Sequence, residues 1–136
     1  MNATLVEGLP SRTFVLIFQT GDEVIGTLET FAAAHDIAGA HFTAIGAFQR
    51  VVLGYCDWDR KDYKRIPIEE QVEVVVLAGD IALKGSAAKV HAHVVVGKPD
   101  GTAFGGHLLE ARVRPTLELV LTELPEPLVR ARCCGH

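Results

Sequence analysis

The stretch Val90–Leu109, VHAHVVVGKPDGTAFGGHLL, constrains the fold of this chain more than any other. Runs rich in Val and Phe flank Gly97-Lys98-Pro99-Asp100-Gly101, a pattern that reads as a β-hairpin. Side chains alternate along a strand, so His91 and His93 share one face. A hairpin symmetric about Pro99 sets His91 opposite His107, with His93 on the diagonal. Opposed Cβ atoms are then about 4.5–5.5 Å apart and diagonal ones about 7–8 Å. Register decides the outcome: a slip of one residue turns His107 to the other face, unless a bulge at Gly105-Gly106 restores it. Three imidazoles on one patch have the number and ligand type of an open zinc site. His91, His93 and His107 are therefore the candidate ligands of a divalent metal, zinc foremost. One histidine alone would be read as decoration of a sheet face; an HxH with a third His across a hairpin favours a metal.

The rest of the chain supplies a frame for this hairpin. Thr13–Gln19 is a first strand, apolar enough to be covered on both faces. Thr20 and Glu23 stand at capping-box spacing, and Val24, Leu28, Phe31 and Ala32 follow at helical spacing. The helix is expected to run through Asp36 with Gly39 as its stop. From His41 the pattern is β: strands at His41–Phe48 and Val51–Asp57, a charged loop at Asp57–Arg65, and an edge-like Ile66-Pro67-Ile68, since proline cannot donate within a central ladder. The loop carries Trp58 and Tyr63 as candidate surface anchors, although a solvated excursion is the plainer reading. Val72–Leu77 continues past Gly79, which marks a bulge or a close backbone approach, into Asp80–Leu83. Thr116–Leu121 alternates as a last strand before Pro125 and Pro127. About seven strands and one main helix give an α+β domain on a mostly antiparallel sheet.

The segments VHAHVVV, GKPDG, GGHLLEARV and TLELVL together resemble the PPC ("plants and prokaryotes conserved") domain. The similarity runs from about Arg12 to Arg130. It includes Gly21-Asp22-Glu23, Thr43–Ala47 and Val72–Gly79. In plants this domain follows AT-hook segments in nuclear proteins; in bacteria and archaea it usually stands alone. The resemblance implies the same α+β fold, a homotrimer, metal binding, and a regulatory role through DNA or a protein partner. In the plant proteins the region similar to Val72–Gly79 is tied to partner contacts. Here Glu73 is kept, while Val72 and Val74 replace an aromatic residue and an isoleucine. The same fold and ligand set also resemble metal-dependent acetolactate decarboxylases and a zinc-dependent ester hydrolase group. A zinc enzyme with a small-molecule ligand at the metal is thus the alternative.

At 136 residues the chain is read as one domain over 1–136, large enough to bury a core without staples. A net charge of −4 argues against tight nonspecific contact with nucleic acid. Arg112-Val113-Arg114-Pro115 echoes an AT-hook core but lacks its central glycine and lies between strands, so it is not read as a DNA-binding motif. No apolar run reaches the roughly 20 residues that cross a membrane, and no secretory signal is recognisable. The three cysteines, Cys56, Cys133 and Cys134, do not form a disulfide framework and fit a cytoplasmic location. Cys133–His136 is read as a tail. If the site is catalytic, Glu110 and Glu118 are the candidate acid or base by proximity, although ion-pair roles suit them better; His35 and His41 have no partner at ligand spacing.

Overall fold

The computed structural model describes residues 11–129. The elements are β1 (Thr13–Gln19), α1 (Val24–Ala34), β2 (Gly39–Asp57), β3 (Asp62–Ile68), β4 (Val72–Lys84), β5 (Ala87–Gly97) and β6 (Ala103–Glu123). All strand pairings are antiparallel, within one six-stranded sheet. The expected α+β class with one helix is the class observed. The count of strands falls to six because separate runs fuse. His41–Phe48 and Val51–Asp57 are halves of β2, and the second hairpin arm runs on through Thr116–Leu121 as β6. The polar Gln49-Arg50 reads as a break in the sequence, yet Arg50 keeps its place in the ladder opposite Arg112. Its guanidinium is held at both ends, by Glu69 at 2.9 Å and Glu110 at 3.1 Å.

The long strands let the sheet close on itself. β2 pairs with β4, β4 with β5, β5 with β6, and β6 returns to β2. β1 extends the ring along β6, and β3 extends it along β2, so Pro67 sits on an edge strand as expected. Phe42, Phe48, Leu53, Leu77, Ile81, Leu117, Leu119 and Leu121 fill the interior. β5 and β6 pair only over His93–Gly97 and Ala103–His107; on the other side of the histidines they part. Helix α1 packs against both strands, burying Val24, Leu28 and Ala32. Glu23 accepts from the Ala111 N–H of β6 at 3.3 Å, and Glu29 from the Val90 N–H of β5 at 3.0 Å. Two helical carboxylates thus satisfy strand donors where the β5–β6 ladder has ended.

Both helix ends differ from the sequence reading. The N-cap is Glu23 itself, accepting from Gly26 N–H at 2.8 Å and Ile25 N–H at 3.1 Å, while the Thr20 hydroxyl turns to the Pro115 carbonyl. The helix stops at Ala34, ahead of Asp36 rather than at Gly39, which opens β2. Asp36 adopts φ 54° and the Ile37 N–H returns to the Ala32 carbonyl at 2.9 Å. That is the Schellman closure with aspartate in the place glycine usually takes. Gly79 proves to be a close approach: a side chain there would run into the His91 carbonyl and the Phe42 ring. The irregularity of this strand lies at Val75, between Val74 and Val76, instead.

One outer face of the ring stays apolar. Val15 is 67% exposed, and Ile17, Ile45, Val75, Val76 and Val120 are also exposed. Cross-strand register lines up Val15, Val120, Thr43, Ala78 and His93 as one row around this face. No described helix is long and apolar enough to cross a membrane.

Candidate metal centre

The hairpin loop spans 98–102, and its geometry sets the register of the histidines. Lys98 N–H donates to the Thr102 carbonyl, Thr102 N–H to the Asp100 carboxylate, and Gly101 takes φ 87°. The hairpin is therefore symmetric about Asp100, one residue later than expected. His93 stands directly opposite His107, and His91 takes the diagonal. The shift is two positions in pairing, so parity and face are kept. No bulge is needed at Gly105-Gly106, because pairing is continuous from His93–His107 to Gly97–Ala103. The glycine serves proximity: a Cβ on Gly106 would lie 2.8 Å from the Gly54 carbonyl oxygen.

The structure brings all three candidate ligands together. Each of His91, His93 and His107 offers a ring nitrogen within 4.8 Å of the others, and their ring centroids are 5.0–5.7 Å apart. Tetrahedral Zn–N bonds of about 2.0–2.1 Å separate ligand nitrogens by about 3.4 Å, so small side-chain rotations suffice to fit such an ion. His107 is the only polar or charged residue in the buried class among the described residues; His91 is half-buried and His93 exposed. Burial, and then the neighbouring His93, push the His91 pKa below its usual value. Neutral imidazole is the form that binds metal, so this environment favours the ligating state.

Tyr63 is a member of the site that sequence reasoning assigned to a loop surface. Asp57–Arg65 is not an open excursion: β3 begins at Asp62, and only four residues turn the chain. Tyr63 stacks on His107 with centroids 4.6 Å apart and planes 25° apart. Trp58 does remain 67% exposed, with the Lys61 ammonium 3.3 Å from its ring centroid. Asp80 was also missed. It stands on β4 directly across from His91 on one side and from His41 on the other. Neither carries a local sequence signal: each reaches the histidines only through the pairing of its strand with distant ones.

Other candidates take other roles. Glu110 is engaged by Arg50 at 3.1 Å and Arg65 at 3.7 Å, and Glu118 lies between Ile17 and Ile45 on the apolar face. Neither belongs to the group of ligand-distance side chains. His35 stacks on Phe31 and its Nδ1 lies 3.0 Å from that residue's carbonyl, a packing role. Arg112 and Arg114 reach the Gly21 carbonyl and the Gln71 side chain, holding local backbone. Cys133, Cys134 and the rest of that tail lie outside the described residues.

Comparison with known proteins extends these observations. The model of the Plants and Prokaryotes Conserved (PCC) domain matches residues 6–125. A plant- and prokaryote-conserved protein of Pyrococcus horikoshii superposes with TM-score 0.88 at 30% identity, covering 99% of this chain and 94% of that one. A metal-containing protein from Archaeoglobus fulgidus gives 0.85 at 33% identity, with 95% and 91% covered. A proposed DNA-binding protein from Ralstonia eutropha JMP134 gives 0.82 at 30%, with 86% and 81% covered. Among curated sequences, the bifunctional protein GlmU of Synechococcus sp. (strain JA-3-3Ab) is 29% identical over 114 residues, 82% of this chain. The chain spans 17% of that relative's length.

Proposed function

The chain belongs to the Plants and Prokaryotes Conserved domain family, and from that premise we propose that it is a homotrimeric metal-binding protein acting as a regulatory or protein-interaction module. His91, His93 and His107 hold one divalent ion per subunit, with zinc foremost. The observation that carries this reading is the convergence of three histidine donors within 4.8 Å from two facing strands. The metal-containing relative from Archaeoglobus fulgidus supports it. A three-histidine centre leaves a coordination position open, where a bound zinc supplies Lewis acidity or an activated water. The chain's own part is to present neutral imidazoles on rigid strands and to shield His107 from solvent.

Titration of metal-free protein with zinc tests the reading. One equivalent per subunit is expected for the wild type. His107→Ala is expected to weaken binding sharply while the far-ultraviolet circular dichroism stays native. His35→Ala should change neither. Equal affinity in wild type and His107→Ala would mean that the histidines are neighbours only.

A catalytic use of the same centre is the second reading. Asp80, in register with His91, is the observation in its favour, because a positioned carboxylate can act as general acid or base in hydrolytic and decarboxylating chemistry. A screen of small esters and 2-hydroxy-2-acyl acids on the zinc-loaded protein decides it: turnover lost in both His107→Ala and Asp80→Asn supports an enzyme.

A further inference from the structure

We infer that Tyr63 is a positioning residue of the histidine centre, its ring fixing the His107 imidazole in the orientation that meets His91 and His93. The inference rests on the metal-binding reading above and adds to it a residue from an edge strand that carries no ligand. Stacking at 4.6 Å and 25° confines the imidazole plane, leaving rotation about its χ angles little room. The contact is built from several sides. Gly54 lies opposite His107 on β2, and a Cβ there would come within 3.2 Å of the Tyr63 ring and 3.0 Å of Leu109. A side chain at Gly54 would press on both and shift them by a few tenths of an ångström, so the bare backbone leaves the ring its present seat. β3 is paired to β2 from Asp62 to Ile68, and the turn before it is closed by the Asp57 carboxylate accepting from the Asp59 and Arg60 N–H groups at 3.1 and 3.2 Å. The Lys61–Trp58 contact covers the tip. A rigid hairpin therefore delivers a flat surface to the most buried ligand. A stacked ring pair of this kind contributes about 2–10-fold to an equilibrium that depends on it.

The test is zinc competition against a chromophoric chelator, combined with cobalt substitution and urea unfolding of the metal-free protein. Tyr63→Leu, which keeps bulk but not a planar ring, is expected to weaken zinc by about 2–10-fold and to alter the cobalt visible spectrum. Tyr63→Phe should bind as the wild type does. Gly54→Ala, which displaces the ring without removing it, should reproduce the loss in a second way. Wild-type affinity in both Tyr63→Leu and Gly54→Ala, whatever happens to the urea midpoint, would reduce Tyr63 to packing and overturn the inference. Loss in Tyr63→Phe as well would move the role to the hydroxyl and overturn it too. If His107→Ala binds zinc like the wild type, the metal reading itself fails, and this inference with it.

Discussion

His91 carries the clearest electrostatic consequence at the scale of single residues. Desolvation and the nearby His93 hold its pKa below the usual 6.5, so the folded chain leaves it neutral where the unfolded chain would protonate it. Between the lowered folded value and 6.5 the unfolded state binds more protons, and stability falls as pH drops through that window. The urea midpoint of metal-free protein should therefore be lower at pH 5.5 than at pH 7.5, and His91→Gln should narrow the gap. An equal gap in the variant would assign the effect to other groups. His93→Gln should raise the His91 midpoint in an NMR titration without restoring it to 6.5, because burial is the larger cause. The clustering of the three histidines was legible in sequence because alternation fixes which residues share a face, and that survives a register error of two. Tyr63 was not, since it reaches His107 through the β2–β3 pairing and across Gly54, contacts that no local pattern encodes.

Elements here are fixed by a few exceptional positions. Glu23 caps α1 and also binds the Ala111 N–H, joining the helix to β6. Glu23→Ala should cost about 0.5–2 kcal/mol, the range for N-cap loss, measured as a shift in urea midpoint at constant slope. Gly79→Ala should be worse. A Cβ there meets the His91 backbone and Ala92, so β4 and β5 must separate beside the centre, at a typical overpacking cost of about 1–3 kcal/mol. Zinc affinity should fall along with stability in Gly79→Ala and stay unchanged in Glu23→Ala. Strand identity was readable from apolar runs and turn residues, and so was the single helix. Continuity was not: Gln49-Arg50 looks like a break because its compensating acids, Glu69 and Glu110, are distant in sequence. The helix stop was misplaced for a similar reason, since aspartate in a left-handed position gives a weaker signal than the glycine three residues on.

At the scale of the whole molecule, the outer apolar face and the charge balance govern what the protein meets. Val15, Ile17, Ile45, Val75, Val76 and Val120 form an exposed apolar surface of the kind that marks an association site. Light scattering on an eluting peak should give three times the chain mass, and Ile17→Asp with Val120→Asp should give a monomer; a wild-type monomer at micromolar concentration would remove the trimer. With net charge −4, DNA affinity should be sequence-indifferent and no tighter than about 10⁻⁴–10⁻⁶ M at physiological salt. Nanomolar, selective binding in a gel-shift titration would reverse that expectation. The row that begins at Val15 and Val120 ends at His93, so the exposed side of the centre borders the same face. A neighbouring subunit seated there would stand over the route by which an ion comes and goes. Zinc should then leave a dilute or doubly substituted (Ile17→Asp with Val120→Asp) protein faster than an assembled one, with stopped-flow chelation as the clock: a centre at such a seam would keep its ion by the slowness of the subunits' parting.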